Sequence, residues 1–388
     1  MLFLATVIVY LDRQVLALTA DRIIHEFGIN KEGFGRIVAA FRYSYGLVQI
    51  LGGFLVDAHG PRLIFPAASG LWSLAGLLTG LATTSSMLIG CRFLLGVGEA
   101  FNWPCALKVT HSLFSEKDRP LVNGVFNSGA AVGALIGPVI VTFIAICFSW
   151  RAAFVATAAV GGAWIVAWLW ATRDEASSLA GAPFPPRQVL RVMRSILLMR
   201  GFWLLAVCSV IINSINYYLS DWIPLYLETS RSFSFAHGNI LSIVVYGGSS
   251  CGNILVGLFV RWLVSCGITV MAAKRWALFA SCVFMLASVP AGLTASRYVA
   301  VGCLALTGMG VAGFLVNYLT LVQDLEPTYV GVSSGMLGGL SNIVYGYVSP
   351  YVGMLADQHR SSFVLILAGV LPWFAFGTAV AAVGAKEP

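Results

Sequence analysis

Asp12 and Arg13 stand side by side in a stretch, residues 1–20, that is otherwise apolar and long enough to cross a bilayer. Arg92 and Glu99 lie in a second apolar stretch. A charged side chain at membrane depth costs from about 3 kcal/mol on insertion scales to above about 10 in simulations. Such groups persist mainly where they face a polar cavity. Arginine offers a planar fork matched to a carboxylate and stays charged. A carboxylate loses or gains its proton according to burial and the nearest cation. Together these residue types suit the binding of an organic anion coupled to protons.

Spacing limits how the four can meet. Arg92 and Glu99 are seven residues apart, so in a straight helix they share a face about 10 Å apart. They would bracket something between them, or each would pair with the first helix. Adjacent Asp12 and Arg13 point about 100° apart around their helix, so one can face a cavity while the other faces a neighbour. Arg42, Tyr45 and Gln49 fall at i, i+3 and i+7 and form a stripe toward the same cavity. A structural reading stands beside the chemical one. Asp12 and Arg13 could satisfy each other, and Arg92 and Glu99 could only tie helices together. Tyr45, Asn127, Asn317 and Asn342 could only bond neighbouring helices. Tyr217, Tyr218 and Asp221, near Pro224, point to gating or binding.

The elements that must position these groups follow from composition. Of 388 residues, 59% are hydrophobic and 10% charged, against roughly a quarter charged in soluble domains. The deficit runs along the whole chain, so nearly all of it lies in lipid. The 41 glycines and 14 prolines suit closely packed membrane helices. Spans of about 20 apolar residues are predicted at 1–22, 33–56, 63–83, 86–111, 120–147, 151–172, 201–228, 238–263, 275–295, 298–322, 329–356 and 361–383. The fold class is therefore all-α, twelve transmembrane helices in two six-helix halves. The halves are 1–172 and 201–388. A linker at 173–200 carries Arg187, Arg191 and Arg194 on an amphipathic helix suited to a membrane surface. A weak repeat links the halves: Gly133-to-Pro138 in the fifth span is echoed by Gly338-to-Asn342 and Pro350 in the eleventh.

The net charge of +7 is assigned to topology-fixing loops rather than to nucleic acid. With both ends inside, twelve loop cations, including Lys117, the three linker arginines and Lys386, face the cytoplasm against seven outside. Both termini are thus predicted cytoplasmic. Apolar sequence begins at Met1, so a short cytoplasmic lead is expected to precede it. The eight cysteines form no CxxC, which argues against metal or redox use. All five histidines lie near predicted loops, so no histidine relay is expected. No HExxH or nucleophile elbow is present, which argues against an enzyme. No cofactor is expected, and the protein is predicted to be a monomer surrounded by lipid, with a small organic anion and protons as its partners.

Gly53-Phe-Leu-Val-Asp57-Ala-His-Gly60-Pro-Arg62 resembles the loop between helices two and three of the major facilitator superfamily, with Ala58 where an Arg is usual. Its second copy, 252–261, is eroded, with Val260 in place of the Asp. Trp150-Arg151-Ala-Ala-Phe154 is also typical. Within the superfamily, Tyr10-Leu-Asp12-Arg13, Tyr45 with Gln49, Arg92-Phe-Leu-Leu-Gly-Val-Gly-Glu99 and Asn123-Gly-Val-Phe-Asn127 resemble the anion:cation symporter branch. Phe314-Leu-Val-Asn317 through Asp324 is similar to the tenth span of hexuronate transporters. The resemblance covers essentially the whole chain.

It implies that Asp12 and Glu99 are proton-linked carboxylates. Arg13 and Arg92 would hold the substrate carboxylate or balance these acids. Tyr10, Tyr45, Gln49, Asn127, Tyr217, Asn317 and Asn342 would line the substrate path. Asp57, Gly60 and Arg62 would form a gating loop. Arg42 departs from the branch's pattern, which leaves open a dicarboxylate substrate or a partner for a helix-one acid. The function implied is proton-coupled import of a sugar acid, a hexuronate or aldonate, by alternating access across a bacterial inner membrane. Uncoupled or exchange-type anion movement is the alternative within transport, and a non-transporting membrane sensor the alternative outside it.

Overall fold

The computed structural model describes residues 1–115, 118–175, 178–179, 186–325 and 330–384, without the side chains at 120, 186–189, 324–325, 330 and 383–384. Lys117, Lys386, the 180–185 stretch and the side chains of Arg187 and Asp324 lie outside the described residues.

Among the described residues there are seventeen helices and no strand. The first half holds α1 (Leu2–Leu18), α2 (Ala20–Phe27), α3 (Lys31–His59), α4 (Pro61–Gly80), α5 (Ser85–Glu99), α6 (Asn102–Leu113), α7 (Arg119–Cys147) and α8 (Trp150–Ala171). After α9 (Pro186–Leu197) come α10 (Arg200–Asp221), α11 (Ile223–Thr229), α12 (Phe235–Ser265), α13 (Val270–Met285), α14 (Ser288–Leu293), α15 (Arg297–Leu325), α16 (Val330–Asp357) and α17 (Ser361–Gly384). Among the described residues, nine helices are long and apolar enough to cross a membrane, ten when α1 and α2 count as one bent span. Joining α1 to α2, α5 to α6, α10 to α11 and α13 to α14 gives the twelve spans of an all-α membrane fold. The chain divides into two compact units, 1–191 with 346–350 and 192–345 with 351–388.

Four predicted continuous spans are therefore broken, and the sequence supplies the reasons. Pro104 clashes with the carbonyl four residues back, and α5 stops at Glu99 with α6 starting at Asn102. Pro290 sets the same limit at Leu286, the residue after the end of α13 at Met285. Pro224 opens α11 in its first turn. The first span bends by 53° after Leu18, where the Thr19 hydroxyl donates back to the Val15 carbonyl at 2.6 Å, a bond that bends helices. Starts are marked by side-chain caps: Asn30 accepts from Gly33 N at 2.8 Å and Ser149 from Ala152 N at 3.1 Å.

Small residues set the close packing. On α7, Gly129, Gly133 and Gly137 form a stripe of period four against α1. A Cβ at Gly129 would lie 2.6 Å from the Phe3 carbonyl oxygen, and one at Gly133 would lie 2.9 Å from Tyr10 Cβ. A bilayer gives apolar helices little hydrophobic reason to associate, so such close approach carries the packing. This stripe fixes the rotation of α1 about its axis, and with it the directions in which Tyr10, Asp12 and Arg13 point. On α5, Gly96 abuts Ser44 and Phe41 of α3, while Gly98 abuts Ala68 and Trp72 of α4. Glu99 follows directly. In the second half, Gly248 and Gly252 of α12 meet the Ala305 and Met309 carbonyls of α15. Pairing of α3 with α5 in the first half is thus repeated by α12 with α15 in the second.

Candidate functional site

The first half gathers its charges in one place. Arg13 donates from Nε to Glu99 Oε2 at 2.6 Å. Glu99 is fully buried, whereas the Arg13 side chain keeps 18% of its surface. The guanidinium lies 4.7 Å from the centre of the Tyr45 ring, 5.3 Å from Phe41 and 5.4 Å from Tyr10. Each such cation–ring contact contributes about 0.5–2 kcal/mol. Arg13 is therefore pinned to α5 by charge and boxed by aromatic rings from α1 and α3.

Asp12 points elsewhere. It is 2% exposed, interacts electrostatically with Glu99 and Arg92, and faces Thr157 of α8. Arg13 pairs with Glu99 rather than with its neighbour Asp12, which decides between the alternatives the spacing left open. Arg92 is buried over the Phe154 ring at 4.9 Å. Arg42 is buried over Phe41 at 5.5 Å and acts electrostatically on Glu99 and Tyr10. The cluster thus holds three arginines and two carboxylates on α1, α3 and α5. Its balance, with both acids ionised, is one positive charge.

Gln49 follows on α3, half-buried, whereas Asn127 is exposed. Two positions from Gly129, Asn127 points some 200° around α7 from it, away from the glycine stripe. It is not brought into the cluster. In the last turn of α3, Asp57 Oδ1 accepts from Lys108 Nζ of α6 at 2.7 Å. Gly60 adopts φ 81°, which disfavours any side chain there. Arg62 is half-buried. Lys108 belongs to no motif, although a lysine inside the predicted span 86–111 is a usable signal.

The corresponding groups of the second half are neutral. Asn342 Nδ2 donates to the Tyr217 hydroxyl at 2.9 Å and to the Gly338 carbonyl at 3.0 Å. The Tyr217 ring lies 5.3 Å from that of Tyr345. Ser209 and Ser341 hydroxyls are 2.9 Å apart, and Asn213 donates to the Ser209 carbonyl at 3.0 Å. Asn317 is buried and bonds the Gly313 carbonyl of its own helix at 3.3 Å. Tyr217 and Asn342 thus come together, and Asn317 is held by its own helix. Ser209 and Asn213 escaped the sequence reading, although a small polar pair one turn apart in an apolar span is a usable signal.

Among the described residues, no three His, Cys, Asp or Glu side chains converge as a metal site would need. The first half can hold an anion and exchange protons. The second can donate and accept uncharged hydrogen bonds.

The profile of the Major Facilitator Superfamily matches residues 2–345. The chain is 26% identical over 381 residues to a hexuronate transporter of Escherichia coli K12, covering 91% of this chain and 86% of that one. It is 25% identical over 387 residues to a probable L-galactonate transporter of the same organism, covering 95% and 85%. The crystal structure of a D-xylose-proton symporter shares the fold with a TM-score of 0.77, at 15% identity over 100% of this chain and 96% of that one. Helices broken at prolines, a charged cluster inside lipid-length spans and this match over most of the chain agree: the chain belongs to the Major Facilitator Superfamily and is an integral membrane transporter rather than an enzyme.

Proposed function

We propose that the protein imports a sugar acid, a hexuronate or aldonate, together with protons. The observation that carries this is the Arg13–Glu99 pair, buried on the acid's side and accessible on the arginine's. An arriving carboxylate competes with Glu99 for the Arg13 fork. Glu99 then loses its partner inside a bundle where an unpaired charge is costly, and it takes up a proton. Anion and proton each favour the other's binding, reciprocally. The surplus positive charge of the cluster favours an anion over a cation. The relatives named as hexuronate and L-galactonate transporters support a polyhydroxylated carboxylate as the cargo.

Asp12 is the second candidate proton site. One proton with one monoanion moves no net charge, whereas a second adds about 2.3 kcal/mol of driving force per 100 mV. The excess of Lys and Arg in one set of loops supports both termini lying in the cytoplasm of a bacterial cell. Access alternates between the two sides of the inner membrane, in a monomer surrounded by lipid.

The test is transport by the purified protein in liposomes. With an inward proton gradient, galacturonate, glucuronate or galactonate accumulates and the external medium turns alkaline. Flux without alkalinisation supports the uncoupled or exchange reading instead, and binding without flux supports a sensor.

A further inference from the structure

The first half holds a second set of buried polar atoms that the anion chemistry does not use. They line the seam between α4 and α8. The hydroxyls of Ser69 and Ser73 and the indole N–H groups of Trp72 and Trp168 lack a hydrogen-bond partner, and all four atoms are buried. A helical serine ordinarily bonds a carbonyl one turn back, as Ser44 does to Ala40 at 3.2 Å. Ser69 and Ser73 do not. Leaving a buried donor or acceptor unmet costs about 1–3 kcal/mol, so four in one seam require a partner.

The seam has a defined place. Gly161 of α8 makes room for it: Ser73 Oγ occupies the position a Cβ there would take, and the Trp72 indole nitrogen lies 3.6 Å from that point. One turn before Gly161, on the same face of α8, is Thr157, the hydroxyl that Asp12 faces. Both Asp12 carboxylate oxygens are buried and without a hydrogen bond. In the opposite direction, Trp164 donates from its indole to the Met1 carbonyl at 3.0 Å. That is the beginning of α1, about 16 Å from Asp12 along the helix. The unmet atoms are neutral donors and hydroxyls, with no charge to hold an ion. Water fits them: it accepts from an indole, and both donates to and accepts from a hydroxyl.

We propose that water molecules fill the α4–α8 seam and carry the proton between Asp12 and the membrane face at which α1 begins. Asp12 releases a proton to the nearest water, which passes another of its own along the file. The carboxylate is regenerated and no water is consumed. Because Asp12 and Arg13 point to different sides of α1, this route is separate from the anion's. The inference rests on the proton coupling proposed above.

Trp72→Phe with Ser73→Ala removes the polar atoms and keeps most of the packing; Ser73→Ala alone is the milder variant. In liposomes, uptake driven by a pH gradient should slow about tenfold in the double variant, while exchange of labelled galacturonate at equal pH stays within about twofold of the unmodified protein. The seam is read directly by deuterium exchange of the Trp72 indole, taken as the ultraviolet resonance Raman difference between the unmodified protein and Trp72→Phe. Exchange within minutes is expected for a hydrated seam, and an indole still protonated after hours overturns the water site whatever transport does. Rapid exchange with undiminished pH-driven uptake in both variants overturns the relay. Failure of the unmodified protein to alkalinise the medium overturns the coupling reading itself and leaves the indole result to stand separately.

Discussion

Arg13 on α1 and Glu99 at the end of α5, 86 positions apart, meet at 2.6 Å with the acid sealed and the base still accessible. The pair therefore has an inner and an outer partner. In the function proposed above, an anion reaches the arginine first, and the carboxylate behind it responds.

Glu99→Gln should keep the exchange of labelled substrate and lose its accumulation against a gradient. The amide preserves shape and cannot cycle a proton. Counterflow and pH-driven uptake in liposomes separate the two. Normal uphill uptake by the variant would remove Glu99 as the coupling acid.

Arg13→Ala and Arg92→Ala should reduce binding of carboxylates far more than of neutral sugars, measured by calorimetry on purified protein. Arg13→Ala also strands Glu99. Breaking a buried pair on one side destabilises by about 3–5 kcal/mol when the remaining charge stays ionised. The thermal midpoint should therefore drop in Arg13→Ala and recover in the double variant with Glu99→Gln. An unchanged midpoint in the single variant would show that the pair carries no structural weight.

The packing glycines give a third expectation. A Cβ at Gly133 would crowd the Val7 carbonyl and Tyr10, and one at Gly96 would overlap Ser44 and Phe41. Overpacking of this kind costs about 1–3 kcal/mol. Gly133→Ala and Gly96→Ala should each lower the thermal midpoint, whereas Gly124→Ala, with open space around it, should not. Equal midpoints for all three would contradict the close approach of α1 to α7 and of α3 to α5.

Much of this was legible in the chain. Lipid-length apolar runs give the twelve spans, and charges stranded within them locate the cluster. Which charges meet was not legible: a spacing of seven places Arg92 and Glu99 on one face of a helix and says nothing of the helix opposite. Gly96 and Gly98 draw α5 against α3 and α4, and Gly129 and Gly133 draw α7 against α1, contacts between helices that no spacing within one helix shows. The break after Glu99 was legible in Pro104, although the apolar run hides it. The motif places Asn127 on the substrate path; the structure shows it exposed and on a different side of α7 from the glycine stripe. Trp72, Ser73 and Gly161 resemble any membrane packing until their polar atoms are seen to be unmet.

The neutral group of the second half leads to a selectivity prediction. Tyr217→Phe and Asn342→Ala each remove one side of a 2.9 Å hydrogen bond. A hydrogen bond to a substrate hydroxyl lost in this way weakens binding roughly two- to tenfold, at about 0.5–1.5 kcal/mol per bond. Galacturonate should suffer this loss and a simple dicarboxylate without hydroxyls should not. Equal losses for both would place the group outside substrate recognition.

Coupling itself is tested most directly by counting protons on binding. Titrating galacturonate into purified protein in buffers of different ionisation enthalpy, from about pH 5 to pH 8, gives protons taken up per anion. Uptake of about one proton is expected in the window where Glu99 is ionised without substrate and protonated with it, with an affinity that weakens as pH rises and loss of both in Glu99→Gln. Tight binding with no proton uptake anywhere in that range would contradict the coupling.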